Sequence, residues 1–201
     1  MPPRRLNPFL EDLSHKLLWL AVFRAVIALL LLAGNAIVLV RAGGEASAPG
    51  TRVLLGIAGG MLVFTALTAL AMPRVRDWIR FTYVQLLVDV VLWALLVWGT
   101  GGPNSYFVYL LDLVVLLAAV YLGVRGAAVL GIAAFLLYAA MTAGLASGWL
   151  PWPAGYAPLG PAEAEAALSL GHLAPDAASI LGVGLLGGFL AFRAERISLD
   201  V

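Results

Sequence analysis

The sequence predicts an all-α polytopic membrane protein, a bundle of six transmembrane helices with both termini in the cytoplasm. The first observation is composition: 63% of the 201 residues are hydrophobic and 11% are charged, whereas about a quarter of the residues in a soluble domain are charged. The second is that the apolar residues form six runs, each close to the roughly 20 residues that a membrane-spanning helix requires. The third is that no run alternates between polar and apolar residues, which excludes the strands of a membrane barrel.

The predicted spans are separated by short segments rich in glycine, proline and charge. Proline and glycine interrupt helices, so RAGGEASAPGTR, PRVRD, GTGGPNS and GVRG mark loops. The first apolar run is longer than that of a cleaved signal peptide, which has about 7–15 residues, so we expect it to remain as an anchor. The spans cover about 17–40, 53–72, 79–98, 106–123, 126–146 and 173–192.

The basic residues predict the orientation, because short cytoplasmic loops are enriched in lysine and arginine. With a cytoplasmic N-terminus, the inner segments hold most of the basic residues, while Arg24 lies inside the first span. Residues 1–16 then form a cytoplasmic interfacial segment. The inner basic residues are Arg4, Arg5, Lys16, Arg74, Arg76, Arg80, Arg125, Arg193 and Arg196, and the outer ones are Arg41 and Arg52.

The remaining composition excludes several classes of protein. Nucleic-acid binding requires a concentrated positive surface, and the basic residues here are spread over short loops, so no nucleic-acid partner is predicted. The chain has no cysteine and its histidines, His15 and His172, are far apart, so neither a disulfide nor a metal centre is predicted. The segment GVGLLG matches a dinucleotide motif in letters but lies inside a span with no preceding strand, so no cofactor is predicted.

Two opposite charges lie at matching depth in the predicted bundle. Arg24 of the first span and Asp89 of the third are each roughly 11–15 Å from the cytoplasmic end of their helix. Since an isolated charge in the bilayer costs about 2.5–3.5 kcal/mol, we expect an ion pair, with a hydrogen bond from Gln85 one turn before Asp89. The pair can simply fix which helices pack together, or it can act as a switch when the helices move.

Asp112 has no predicted ionic partner. It lies about six residues, or nearly 10 Å, below the outer end of the fourth span, where the spans carry no basic residue at its level. Burial of a lone carboxyl group favours its protonated form. We expect Asn35 and the turn at 99–105 as its neighbours. Two roles stay open: a hydrogen bond between helices, or a proton-responsive or ligand-contacting group in an outer pocket.

The GTGGPNS turn, residues 99–105, joins the third and fourth spans. Its two glycines permit backbone conformations that other residues avoid, and Pro103 prevents either helix from continuing. Free N–H groups in such a turn can bind an anion or a carbonyl group. A tight hairpin alone would also explain the glycines. The candidate ligand residues are Gly101, Gly102, Asn104 and Ser105.

Two pairs of glycines, each one turn apart, predict close helix packing. Gly56 and Gly60 lie in the second span, and Gly184 and Gly188 lie in the sixth. Small residues at this spacing let two membrane helices approach closely. The packing partner can belong to the same chain or to a second copy, and we expect a homodimer.

With these features together, the chain resembles the six-span sensor region of PilS-type membrane histidine kinases, which belong to two-component systems. The resemblance covers nearly the whole chain, through LWLAVFRAVIALLLL in the first span, QLLVDVVLWALLVWGTGGPNS across the third span and its turn, and AAFLLY in the fifth. Its most specific positions are Gln85, Asp89, Thr100, Gly101, Gly102 and Ser105.

The resemblance implies a sensor domain of the bacterial inner membrane that detects a membrane-embedded cue such as pilin and controls transcription. Its implied partners are the lipid bilayer, a second copy, a membrane-embedded protein and, through a kinase half, a response regulator. The motifs of that kinase half are absent from the sequence, and no residue is expected to be catalytic. We expect residues 193–201 to be the start of a cytoplasmic signalling linker that has been cut.

Three alternatives stay open. A RegB-type redox sensor has a Gly-Gly-x-x-Asn-Pro-Phe turn tied to quinone, whereas this chain has Gly-Gly-Pro-Asn-Ser-Tyr-Phe and no redox cysteine. A small transporter would also use intramembrane charges, but the chain shows no obvious inverted repeat. The third alternative is a membrane assembly protein with no signalling role.

Overall fold

The computed structural model describes residues 8–41, 49–153, 156, 162, 167 and 169–199, in which the main elements are five α-helices. No strand occurs in this described part of the chain, so the all-α prediction is confirmed there. The helices are α1 (Pro8–Arg41), α2 (Pro49–Ala71), α3 (Trp78–Gly99), α4 (Tyr109–Ala146) and α5 (Leu170–Leu199).

All five helices are long and apolar enough to cross a membrane. Large apolar side chains cover the outside of the bundle: Trp19 is 72% exposed and Leu70 is 67% exposed. Because contiguous apolar surface of this kind is not tolerated in water, the solvent around the helices is lipid. The chain is therefore a multi-pass membrane protein.

Helix α4 is too long for a single straight crossing. Its 38 residues would extend about 57 Å, whereas the hydrocarbon core is about 30 Å thick. The helix is broken at Gly123, whose φ of 70° and ψ of −165° are not helical. The segments before and after the break, residues 109–122 and 124–146, are named here the first and second arms. They lie side by side, because a Cβ atom added to Gly131 would be 3.4 Å from Cγ1 of Val115.

The arms of α4 account for the difference between the predicted and observed spans. The sequence predicts six spans, and the described residues contain five candidate spans, of which residues 106–146 form one. The predicted spans 106–123 and 126–146 fall on the two arms of this broken helix. The predicted loop GVRG, residues 123–126, coincides with the break.

The helices form two groups. Helix α5 packs along α4, and α3 also packs on α4, so these three form one group. Helix α1 packs along α2 as the other group and contacts α3 only over a short stretch, while α2 contacts α3 less extensively than it contacts α1. We name these the α3–α5 group and the α1–α2 pair.

The outer helices extend beyond the predicted spans. Helix α1 begins at Pro8, so residues 8–16 of the predicted interfacial segment continue the first span as one helix. Helix α5 continues to Leu199, past the predicted end of the sixth span at residue 192. Helix α3 begins after Asp77, whose carboxylate caps it by accepting a hydrogen bond from the backbone N–H of Arg80 at 3.1 Å.

Candidate functional site

Arg24 of α1 and Asp89 of α3 form a bidentate ion pair inside the bundle. Nε of Arg24 donates to Oδ1 of Asp89 at 2.5 Å, and Nη2 donates to Oδ2 at 2.6 Å. Each side chain is 1% exposed. A planar guanidinium that meets both carboxylate oxygens forms one of the stronger charge-assisted contacts in proteins. The structure thus contains the ion pair that the sequence predicts, whereas a role for the pair in sensing stays a prediction.

The ion pair joins the two groups of helices. The guanidinium carbon of Arg24 also lies 4.6 Å from the ring centroid of Phe64 on α2, a cation–π contact. Arg24 therefore contacts its own α1–α2 pair and, through Asp89, the α3–α5 group. Because separating the two charges in lipid would leave both without a partner, a shift of α1 relative to α3 carries a large free-energy cost.

Gln85 does not form the predicted hydrogen bond to the pair. It is 1% exposed and lies one turn before Asp89, but neither Oε1 nor Nε2 has a hydrogen-bond partner among the described residues. The hydrogen bonds to the two oxygens of Asp89 come from Arg24, although each carboxylate oxygen can accept more than one. Nη1 of Arg24 is likewise without a partner in the described part of the chain. The prediction of a hydrogen bond was therefore wrong, although Gln85 is buried on the same helix.

Asp112 bonds to α5 and not to Asn35 or the 99–105 turn. Its Oδ2 accepts a hydrogen bond from Oγ of Ser179 at 2.6 Å. Nδ2 of Asn35 donates instead to the carbonyl of Leu31 in its own helix, at 2.8 Å. The predicted neighbours of Asp112 are wrong because α4 packs against α5, whereas α1 packs against α2.

A second hydrogen bond holds α5 to the other arm of α4. The hydroxyl group of Tyr138 donates to Oδ2 of Asp176 at 2.8 Å. Each arm of α4 thus has one side-chain hydrogen bond to α5. In the first arm Asp112 accepts from Ser179, and in the second arm Tyr138 donates to Asp176. Sequence analysis did not single out Tyr138, Asp176 or Ser179. The available signal was the spacing of Asp176 and Ser179, which places two polar side chains on one face of an apolar helix.

The 99–105 turn is closed by its own hydrogen bonds. Gly101 and Gly102 have φ values of 117° and 62°, which favour glycine. The hydroxyl oxygens of Thr100 and Ser105 are 2.5 Å apart. The backbone N–H groups of Asn104 and Ser105 donate to the carbonyls of Gly101 and Gly102. Turn geometry therefore accounts for the glycines, and a ligand role for this turn stays a prediction.

The two glycine pairs have different surroundings. A Cβ atom at Gly184 would lie 2.7 Å from Cγ1 of Val115, and one at Gly188 would lie 2.9 Å from Cα of Val124. These glycines of α5 therefore serve packing against α4 within the chain. A Cβ atom at Gly56 or Gly60 of α2 would meet nothing within 4 Å among the described residues, so this pair is not packed there.

An apolar groove runs between α3 and the second arm of α4. Its volume is about 360 Å³, and its lining includes Trp98, Leu137, Met141 and Trp149. Nε1 of Trp98 donates to the carbonyl of Pro151 at 3.0 Å, which fixes one wall of the groove. The groove offers apolar contacts to a lipid chain or to a transmembrane helix.

These features define a helical membrane domain in which a buried ion pair joins two groups of helices. The family of PilS-like transmembrane domains matches residues 9–160, and the chain belongs to this family. The matched region contains Arg24, Gln85, Asp89 and the 99–105 turn, whereas α5 begins beyond it. No curated protein and no solved structure shows significant similarity to the chain.

Proposed function

We propose that this chain is the signal-input domain of a two-component sensor histidine kinase in the inner membrane of a bacterium. The observation that carries the proposal is membership of the PilS-like transmembrane domain family over residues 9–160. The buried ion pair supports it, because a signal that moves helices needs a contact whose free energy depends strongly on their relative position.

We propose further that the domain crosses the membrane six times and has both termini in the cytoplasm. The break at Gly123 supports six crossings, because the two arms of α4 lie side by side. The second arm has the length of a span, and the first arm reaches the lower limit of about 17 residues together with the 3-10 helix Tyr106–Val108 that precedes it. An even number of crossings places both termini on one side. The excess of arginine and lysine in the N-terminal segment, the 74–80 loop, Arg125 and the C-terminal end supports the cytoplasmic side.

In this mechanism a membrane-embedded partner docks on α3 and α4. The groove between α3 and the second arm supplies an apolar surface for it, and the resemblance to PilS-type sensors makes pilin the first candidate. Docking shifts α3 relative to α1 and so strains the Arg24–Asp89 pair. The two states of the sensor then differ in how well this pair is formed.

Helix α5 transmits the shift. Its hydrogen bonds from Ser179 to Asp112 and from Tyr138 to Asp176, with the close packing at Gly184 and Gly188, make it move together with α4. The C-terminal end of α5 would then lead to the kinase half of the protein.

The test fuses the whole chain to the kinase core of a characterised two-component system and measures transcription from its target promoter. The proposal predicts that Asp89→Ala shifts output several-fold and locks it in one state. The matched control is Arg80→Ala, which removes an exposed charge on the same helix but keeps the backbone N–H that Asp77 caps, and it should leave output unchanged. Unchanged output from Asp89→Ala at equal protein level would contradict the proposal, and solute uptake into liposomes would favour a transporter.

A further inference from the structure

Three buried polar atoms beside the ion pair have no hydrogen-bond partner in the described part of the chain. They are Nη1 of Arg24 and both Oε1 and Nε2 of Gln85. Each of the two residues is 1% exposed, so neither side chain contacts the surroundings of the bundle. Native proteins leave very few buried polar groups unpaired, because each costs about 1–3 kcal/mol. These atoms therefore point to a bound partner.

The surroundings of these atoms determine the chemistry of that partner. Gln85 lies one turn before Asp89 on α3, next to the carboxylate that Arg24 binds. The unpaired set contains N–H donors on both residues and one carbonyl acceptor on Gln85. Since Arg24 and Asp89 neutralise each other, an ion at this position would add an unpaired charge to the interior. The set fits a neutral molecule that both accepts and donates hydrogen bonds.

We propose that one water molecule binds here, accepting a hydrogen bond from Nη1 of Arg24 and bonding to the carboxamide of Gln85. Water is the smallest molecule that fills both roles, and buried waters typically make about three hydrogen bonds to groups of this kind. Gln85 is then a positioning residue, which holds the guanidinium of Arg24 in place through the water. The water site does not depend on the signalling role of the domain.

The water site can be tested by selective labelling, because Gln85 is the one glutamine in the sequence. Cell-free synthesis with side-chain ¹⁵N-labelled glutamine gives a single carboxamide signal from the full chain in liposomes. Solid-state NMR then measures how fast magnetisation passes from water protons to this signal. The matched control carries Gln85→Leu with Leu87→Gln, which moves the one glutamine to a half-exposed, lipid-facing position on the same helix.

The proposal predicts that the Gln85 carboxamide receives magnetisation from water several-fold faster than the glutamine at position 87, because the bilayer interior at that depth contains no water. Equal transfer in the two proteins would overturn the proposal. In a second sample that also carries ¹³C-labelled glutamine and arginine, a direct correlation between Cδ of Gln85 and Cζ of Arg24 without transfer from water would also overturn it, since the two side chains would then bond directly.

Discussion

Arg24 and Asp89 meet through two hydrogen bonds of 2.5 and 2.6 Å, and both side chains are 1% exposed. The arginine belongs to the α1–α2 pair and the aspartate to the α3–α5 group, so the ion pair crosses the boundary between them. Helices α1 and α3 have little other contact. A charged link at a sparsely packed boundary is well suited to a domain whose helices shift when a partner binds.

The glycine surface of α5 predicts a position-specific effect on stability. Gly188→Ala should lower the free energy of unfolding by about 1–3 kcal/mol, because the added methyl group would lie 2.9 Å from the backbone of Val124. Gly182→Ala is the matched control, since a Cβ atom there meets nothing within 4 Å, and it should be neutral or stabilising. Denaturation in detergent micelles, followed by tryptophan fluorescence, gives both values. Equal losses would contradict the observed packing.

The hydrogen bonds between α5 and α4 predict how α5 is held. Ser179→Ala and Tyr138→Phe each remove one bond to a carboxylate, at a cost of about 1.5–3 kcal/mol. Each variant should speed amide hydrogen exchange in α5 more than in α1 and alter output of the kinase fusion.

Asp112→Asn removes the carboxylate but keeps an oxygen that can accept the hydrogen bond from Ser179. This variant therefore tests the role of the carboxylate apart from that of the hydrogen bond. Unchanged output from Asp112→Asn would contradict a proton-responsive or ligand-contacting role for Asp112 and would leave only its hydrogen bond between helices.

The break at Gly123 predicts the membrane topology. Because the chain has no cysteine, single-cysteine variants report the accessibility of each loop. With six spans, a membrane-impermeant maleimide should label Asn104→Cys on intact spheroplasts, and it should label Arg76→Cys and Arg125→Cys only after lysis. All three native side chains are exposed. Labelling of Arg125→Cys from outside would contradict the folding back of α4 within the membrane.

The unpacked glycines of α2 predict the dimer contact. A second copy can approach closely along the face of Gly56 and Gly60, because this face meets nothing in the described part of the same chain. Gly60→Cys should therefore form a disulfide-linked dimer when membranes that contain the variant are treated with an oxidant. Val129→Cys, on an exposed position of α4, should stay monomeric under the same conditions. Equal cross-linking of the two variants would indicate random collisions and contradict this interface.

The sequence was sufficient to predict features that depend on composition and on depth in the membrane. Arg24 and Asp89 could be paired from sequence because two opposite charges at one depth in lipid strongly favour contact. The break at residues 123–126 was visible because glycine and arginine interrupt an apolar run.

The sequence was insufficient where the result depends on which helices pack together. These helices are apolar on almost every side, so hydrophobicity does not indicate which face is buried within the bundle. For this reason the bond of Asp112 to Ser179, and that of Tyr138 to Asp176, could not be predicted. The lack of a bond from Gln85 to the ion pair was missed for a different reason, since a spacing of one helical turn places the two residues on one face of α3 but does not fix the side-chain rotamer of Gln85.

A double-mutant cycle on Arg24 and Asp89 tests the central claim most directly, with the free energy of unfolding in lipid or detergent as the measured quantity. Arg24→Met and Asp89→Leu should each cost about 3–5 kcal/mol, because each leaves the other charge buried without its partner. The double variant should be more stable than either single variant, since both charges are gone. Additive losses in the double variant would show that the two residues do not interact and would contradict the account.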